Sequence, residues 1–193
     1  YSLAVYGTYT ADGGSFLDVI GRYGYLKNDI TAGNMALDTS SSAFSLSAEM
    51  GHTFRFINDA AYVEPQIEFT YGFIGGDDAT ASNNVRIEQD DFQSLVGRLG
   101  ARIGATLPKD AGQIYMHVSV NHDFLGDADA TARPSAGLAR SISTDLGGTW
   151  VSYGLGMQFE AGQNLSIYGS LDRANGSDYQ EDYRYSVGVR YVW

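Results

Sequence analysis

The sequence predicts an all-β protein, a transmembrane antiparallel β-barrel. Apolar and polar residues alternate with period two along most of the chain. Short and long polar connections alternate between these runs, and the apolar faces carry aromatic ends. Period two puts successive side chains on opposite faces of a sheet. Short turns on one side, long loops on the other and aromatic girdles are what an outer-membrane barrel requires.

The first pair of strands is 1–9 and 15–26, joined by Thr10-Ala11-Asp12-Gly13-Gly14, a turn composition. The next is 42–56, whose apolar face reads Phe44, Leu46, Ala48, Met50, His52, Phe54 and Phe56 against Ser45, Ser47, Glu49, Gly51, Thr53 and Arg55. In 61–73, Ala61, Val63, Pro65, Ile67, Phe69, Tyr71 and Phe73 oppose Tyr62, Glu64, Gln66, Glu68, Thr70 and Gly72. In 91–107, Leu95, Leu99, Ala101, Ile103, Ala105 and Leu107 oppose Arg98, Gly100, Arg102, Gly104 and Thr106. Strands 113–124, 149–160 and 164–173 follow. The last, 182–193, sets Tyr183, Tyr185, Val187, Val189, Tyr191 and Trp193 against Arg184, Ser186, Gly188, Arg190 and Val192. Most of these nine strands exceed the roughly 5–6 residues of globular strands and reach the roughly 9–11 that cross a bilayer at a tilt. The short connections are 10–14, 57–60, 108–112 and 161–163; the long ones are 27–41, 74–90, 125–148 and 174–181.

A soluble lipocalin-like barrel alternates too, with its apolar face inward. The lipid solvent is favoured by the aromatic ends, by inner faces that mix Arg, Glu, Gln, Ser, Thr and Gly without strand lysine, and by a final aromatic that completes an alternation. Composition agrees. Of 12 basic residues only Lys27 and Lys109 are lysine, and charged residues make up 18%, below the roughly 25% of soluble domains. Tyr 14, Phe 9 and Gly 24 exclude a disordered chain. A net charge of −11 gives nothing to neutralise a phosphate backbone, so nucleic acid is not an expected partner. Cys 0 excludes disulfide scaffolds, thiolate metal sites and cysteine nucleophiles. No apolar run approaches the roughly 18 residues of a membrane helix. Tyr1-Ser2-Leu3-Ala4-Val5 lacks the basic start and cleavage box of a signal peptide. The expectation is a chain that begins inside a structural element, as a mature or truncated piece of a longer protein.

These residues resemble the C-terminal β-barrel translocator domain of the autotransporters, the type V secretion family, over essentially the whole chain. Tyr1-Ser2-Leu3-Ala4-Val5-Tyr6-Gly7-Thr8-Tyr9 resembles that family's fourth barrel strand, and Phe16-Leu17-Asp18 opens what resembles its fifth. Phe44-Ser45-Leu46-Ser47-Ala48-Glu49-Met50-Gly51-His52 is similar to the next, with His52 where Tyr is usual. Tyr62-Val63-Glu64-Pro65-Gln66, Arg98-Leu99-Gly100-Ala101-Arg102-Ile103-Gly104 and His122-Asp123-Phe124 match further segments, and Val187 to Trp193 matches the terminal strand. Each motif is weak alone; their shared order makes the match. The resemblance implies one domain over 1–193, about nine strands of an expected twelve-stranded barrel. Three strands and the helical linker threaded through the lumen are then missing on the N-terminal side.

Its implied function is an outer-membrane pore and anchor in a Gram-negative bacterium that translocates an upstream passenger to the cell surface. The implied partners are outer-membrane lipid and lipopolysaccharide, the protein's own passenger and linker, and the barrel assembly machinery. The machinery is expected to read the terminal strand at Val187, Val189, Tyr191 and Trp193. No cofactor or metal is implied. In members that cut themselves, acidic lumen residues activate an asparagine of the linker, whose side chain attacks its own carbonyl. Asp18 and Glu49 match those positions, as candidate acids for a single-turnover cleavage rather than for a turnover enzyme. Their bland alternative is lumen solvation with pairing to Arg22 or Arg55. Glu64 and Glu68 beside Arg98 and Arg102 read as a lumen-facing ion-pair ladder. His117-Val118-Ser119 resembles the His-x-Ser pair of lipid A deacylases, but its face also carries Tyr115, Asn121 and Asp123 and points away from lipid. His52 and His122 stand singly on apolar faces. Asp77, Asp78, Asp127 and Asp129 read as solvated loop residues that bridge lipopolysaccharide cations rather than a calcium site. Two alternatives remain: an outer-membrane barrel enzyme of protease or lipid A deacylase type, and a small structural or adhesive barrel. The passenger's identity, whether it is released and what supplies the missing strands are not legible.

Overall fold

The computed structural model describes residues 1–32, 35–134, 137–162, 164–177 and 179–193. The strands are β1 (Ser2–Thr10), β2 (Ser15–Ala32), β3 (Met35–His52), β4 (Phe54–Phe56), β5 (Ala61–Ile74), β6 (Asp78–Thr80), β7 (Arg86–Gln89), β8 (Phe92–Thr106), β9 (Gly112–Asp123), β10 (Asp127–Arg133), β11 (Arg140–Asp145), β12 (Gly148–Glu160), β13 (Leu165–Gly176) and β14 (Gln180–Tyr191). The nine long strands pair in the order β1-β2-β3-β5-β8-β9-β12-β13-β14, each antiparallel to its neighbour. All nine strands expected from the alternation are found in this sheet.

Three details differ from the sequence reading. The strand expected over 42–56 is interrupted at Thr53, whose N–H donates to the Gly14 carbonyl of the adjacent turn (2.9 Å); the chain resumes as β4 against β5. The segment 27–41 is not a simple loop. The β2–β3 ladder continues from Tyr25↔Ser42 to Ala32↔Met35, with residues 33–34 outside the described set. The segments 74–90 and 125–148 also carry strands. β6, β7, β10 and β11 form a second sheet, order β11-β10-β7-β6, at the long-loop end of the barrel wall. Ion pairs hold it together: Arg86–Asp78 at 2.9 Å, Arg86–Glu88 at 3.3 Å and Arg133–Glu88 at 2.7 Å. It is tied to the wall by Ser82 N–H to Ala36 O and by Ser40 N–H to Asp77 Oδ2 (2.6 Å). The tips of 125–148, 161–163 and 174–181 also include residues outside the described set.

The two faces have inverted polarity. Leu99 is 67% exposed, with Ile103, Met50, Phe69, Leu155 and Leu171 also on the outer face. The buried residues include Glu64, Gln66, Ser119, Asn121 and Asp123 on the inner one. A water-soluble barrel would show the reverse; an apolar outer solvent would remove this cost. On the inner face Tyr62 lies over Gly104, Tyr115 over Gly156 and Tyr168 over Gly188, each directly opposite its partner in register. A Cβ at any of these glycines would collide with the ring, so glycine is what lets each tyrosine lie flat on the wall.

The sheet is sheared. The row of directly paired residues Asp18, Glu49, Glu68, Arg98, Asn121, Trp150, Gly176 crosses seven strands. Asp18 stands three residues from the short-turn end of β2, whereas Gly176 ends β13 at the long-loop side. A hydrogen-bonded row therefore climbs across the wall, the stagger that strand tilt in a barrel imposes.

Candidate functional site

Two charged rows line the inner face because every second residue of each strand is placed there. The lower-numbered row begins with Thr8 opposite Asp18, Asp18 opposite Glu49, Glu49 opposite Glu68, and Glu68 opposite Arg98. Three carboxylates in succession would repel each other. Arg98 relieves this by reaching over two strands: its Nη2 lies 2.6 Å from Glu68 Oε2 and 2.8 Å from Glu49 Oε2, and its Nε donates to Glu68 at 2.7 Å. Glu68 Oε1 takes hydroxyl hydrogen bonds from Ser47 (2.7 Å) and Thr70 (3.0 Å). Thr8 donates its hydroxyl to Asp18 Oδ1.

The partner of Glu49 is thus Arg98, not Arg22 or Arg55. Glu49 and Glu68 are adjacent in register, so one long guanidinium held by Glu68 meets both. Among the described residues, Glu49 Oε1 and Asp18 Oδ2 accept no side-chain hydrogen bond and remain available. Both carboxylates open on a hollow of about 230 Å³ lined by Tyr6, Thr8, Asp18, Ser47, Glu49 and Glu68. That hollow can hold a polar side chain between two acceptors.

The second row runs Glu64, Arg102, His117, Gly154, Asp172, Arg184. Arg102 Nη1 meets Glu64 Oε1 at 3.2 Å and its guanidinium stacks over Tyr115, 4.7 Å from the ring centre. Gln66 Nε2 donates to the same Glu64 oxygen at 2.8 Å. His117 Nε2 lies 3.1 Å from Asp172 Oδ1 across the gap left by Gly154. Sequence reasoning missed this His117–Asp172 pair, because the two residues lie on strands separated by β12. Only the register reveals that a glycine stands between them. Ser119 sits buried beside Asn121. His117 is thus engaged with Asp172 rather than arranged as a base for a serine nucleophile. Among the described residues no group of three or more His, Asp or Glu is arranged to hold a metal.

His52 and His122 lie on the outer face at opposite ends of the wall. Each packs on a phenylalanine two residues on, Phe54 at 4.4 Å and Phe124 at 4.5 Å between ring centres, and shares a hydrogen bond with a hydroxyl, Ser15 or Thr149. Val187, Val189 and Tyr191 face outward on β14, one margin of the sheet, and Trp193 follows it. Asp77 accepts from the Ser40 N–H of β3, and Asp78 pairs with Arg86 in the second sheet.

With that geometry the chain can be set beside known proteins. A family model described as the autotransporter beta-domain matches residues 1–172. The chain is 31% identical over 196 residues to the pertactin autotransporter of Bordetella parapertussis, covering 97% of this chain and 21% of that protein. It is 29% identical over 196 residues to the BrkA autotransporter of Bordetella pertussis, covering 96% of this chain and 19% of that protein. The chain thus spans about a fifth of the length of these relatives. The crystal structure of the beta domain of the Bordetella autotransporter BrkA superposes with a TM-score of 0.72 at 23% identity, covering 98% of this chain and 71% of that one, which fixes the fold.

Proposed function

Since this chain belongs to the autotransporter β-domain family, we propose that it serves as a translocator: an outer-membrane pore and anchor that carries an upstream passenger to the cell surface. The observation that carries the reading is the family match over residues 1–172, and the inverted faces supply its physical basis. The test is surface display of an epitope-tagged passenger from the full-length protein. Display lost on deletion of 1–193 and retained with the segment present supports the reading. Display that persists without the segment overturns it.

In this reading residues 1–193 act as one barrel domain in the outer membrane. The second sheet and the β2–β3 extension lie outside the cell, and turns 11–14, 57–60 and 108–111 in the periplasm. The partners are outer-membrane lipid, the passenger and its linker. The barrel assembly machinery would engage the backbone of β14 near Tyr191, because a sheet margin offers unpaired donors and acceptors for strand addition.

The inner hollow supports one self-cleavage in place of turnover. An asparagine of the linker entering between Asp18 and Glu49 would have its side-chain amide nitrogen deprotonated by a free carboxylate oxygen. That nitrogen attacks the asparagine's own backbone carbonyl, closing a five-membered imide. The C–N bond to the next residue breaks, and the proton passes to the departing amine. Arg98 holds Glu49 in place through Oε2 and leaves Oε1 for the proton. Asp18→Asn or Glu49→Gln is expected to leave the passenger attached in a barrel that still assembles. Unchanged processing in both variants would assign the cut to another agent. The lumen-facing pairs Arg98–Glu68 and Arg102–Glu64 serve wall shape rather than chemistry.

A further inference from the structure

Resting on the outer-membrane reading above, we propose that the outer wall at Arg173 is a binding site for a phosphate of lipid A, the anchor of lipopolysaccharide in the outer leaflet. Arg173 is a charged residue on the lipid-facing side of β13. It stands opposite Tyr153 in register, three residues from the long-loop end of the strand. Away from the loop end, its neighbours on that face are apolar. Ile103, Met116, Val118, Leu155 and Leu171 line a groove of about 390 Å³ that runs down the outer wall from Arg173, Tyr153 and Tyr183.

An arginine facing lipid has a cost that falls toward the interface, and it persists where something compensates it. Among the described residues the compensation within the protein is incomplete. The guanidinium lies over the Tyr183 ring at 5.4 Å. Asp182 approaches only to 4.0 Å, beyond hydrogen-bond reach, and its side chain is largely exposed. Arg173 Nε is buried without a hydrogen-bond partner. The side chain as a whole is 38% accessible.

The local backbone is irregular at this point. The β13–β14 register shifts between Asp172 and Ala174, so that Asp182 and Tyr183 both oppose Arg173. Such a bulge re-aims side chains, and here it sets Tyr183 beneath the guanidinium. Asn175 Nδ2 donates to the Tyr153 hydroxyl at 3.2 Å, fixing the other aromatic wall. The result is a cation flanked by two tyrosines at the top of an apolar groove. That is the complement of an amphiphile with an anionic head and acyl chains. Lipid A is chosen over a glycerophospholipid because the site lies at the surface-exposed end, where the outer leaflet carries lipopolysaccharide. A guanidinium also matches a phosphate with a two-pronged hydrogen bond.

The experiment uses the full-length protein reconstituted in phosphatidylethanolamine vesicles doped with one probe: bisphosphorylated lipid A, the same lipid A with both phosphates removed, or phosphatidylglycerol. Retention of fluorescent probe by the protein is measured, together with passenger display in cells. The wild type is expected to prefer bisphosphorylated lipid A to the dephosphorylated form by about tenfold or more, the weight of one charge-assisted pair. Arg173→Met should erase the preference, and Arg173→Lys should retain part of it. Equal retention of the two lipid A forms by the wild type would overturn the proposal without any variant. So would an unchanged preference in Arg173→Met, or a preference for phosphatidylglycerol over lipid A. Display should be normal in Arg173→Met. Loss of display in the wild-type system would count against the translocator reading and not against the lipid site.

Discussion

An arginine placed at Ile67 tests the assignment of the two faces quantitatively. Ile67 is close to the midpoint of β5, six residues from Ala61 and seven from Ile74. It lies in the outer row Met50, Ile67, Leu99, so its side chain is at mid-wall with apolar neighbours on both sides. An arginine near the bilayer midplane of such a barrel costs about 2–4 kcal/mol, or roughly thirtyfold to a thousandfold in the folding equilibrium. The reference substitution is one residue away. Gln66 faces inward, opposite Gly51 and Gly100, and donates to Glu64. Phe16 covers Gly51 and Ser119 covers Gly100, so Gln66→Arg must repack locally, but it stays on the polar inner face with the Glu64 carboxylate to meet, and its cost should stay below that at position 67. The assay is equilibrium urea unfolding of the full-length protein in lipid vesicles, followed by tryptophan fluorescence. Equal penalties at positions 66 and 67, or a larger one at 66, would refute the face assignment. The register-based argument for every other residue on these rows would fail with it.

Other outcomes follow from the same geometry. Trypsin added to intact cells should cut at Arg86 or Arg140 in the second sheet and spare Lys109 in the turn after β8; cleavage at Lys109 in sealed cells would reverse the orientation. Arg98→Met leaves Glu49 and Glu68 facing each other without their shared cation and should destabilise the barrel by about 1–3 kcal/mol. Adding Glu49→Gln should recover part of that in the same unfolding assay, and no recovery would mean the pair is not coupled. Gly156→Val puts a side chain into the Tyr115 ring and should cost about 1–3 kcal/mol. Tyr115→Ala in that background should relieve the clash, read as partial recovery of the unfolding midpoint.

The wall was legible because lipid and lumen are both uniform solvents. Along 61–73 each odd residue is apolar and each even one but Tyr62 is small or polar, and no other period fits. The second sheet was not legible. Its strands are drawn from segments rich in Asp, Ala, Ser and Thr, such as Asp127–Arg133. These have little β-propensity and face no solvent boundary that would impose alternation. Residues 27–32 were missed for a related reason: Lys27, Asn28 and Asp29 end the apolar pattern, yet the ladder to β3 continues beyond it. Alternation marks where lipid stops, and hydrogen bonding does not stop there. At the inner site, the alternation places Glu49, Glu68 and Arg98 on one face. That Arg98 serves both carboxylates, and that His117 meets Asp172 across Gly154, depends on register between strands, which a single sequence does not carry.

Parity then constrains how the wall closes. Each neighbour in β1-β2-β3-β5-β8-β9-β12-β13-β14 is antiparallel, so the first and ninth long strands run in the same direction. Joining β1 directly to β14 would require a parallel seam, whose slanted bonds do not match the ladders of an antiparallel wall. Open margins in lipid leave backbone donors and acceptors unsatisfied at several kcal/mol each. Tyr6 and Tyr9 on β1, with Tyr185 and Val187 on β14, would lie along those bare margins. An odd number of further strands restores an antiparallel seam and an even total. The solved relative has room for them, since this chain covers 71% of it. The same unpaired backbone that makes the isolated wall costly is what an assembling edge offers to a partner strand.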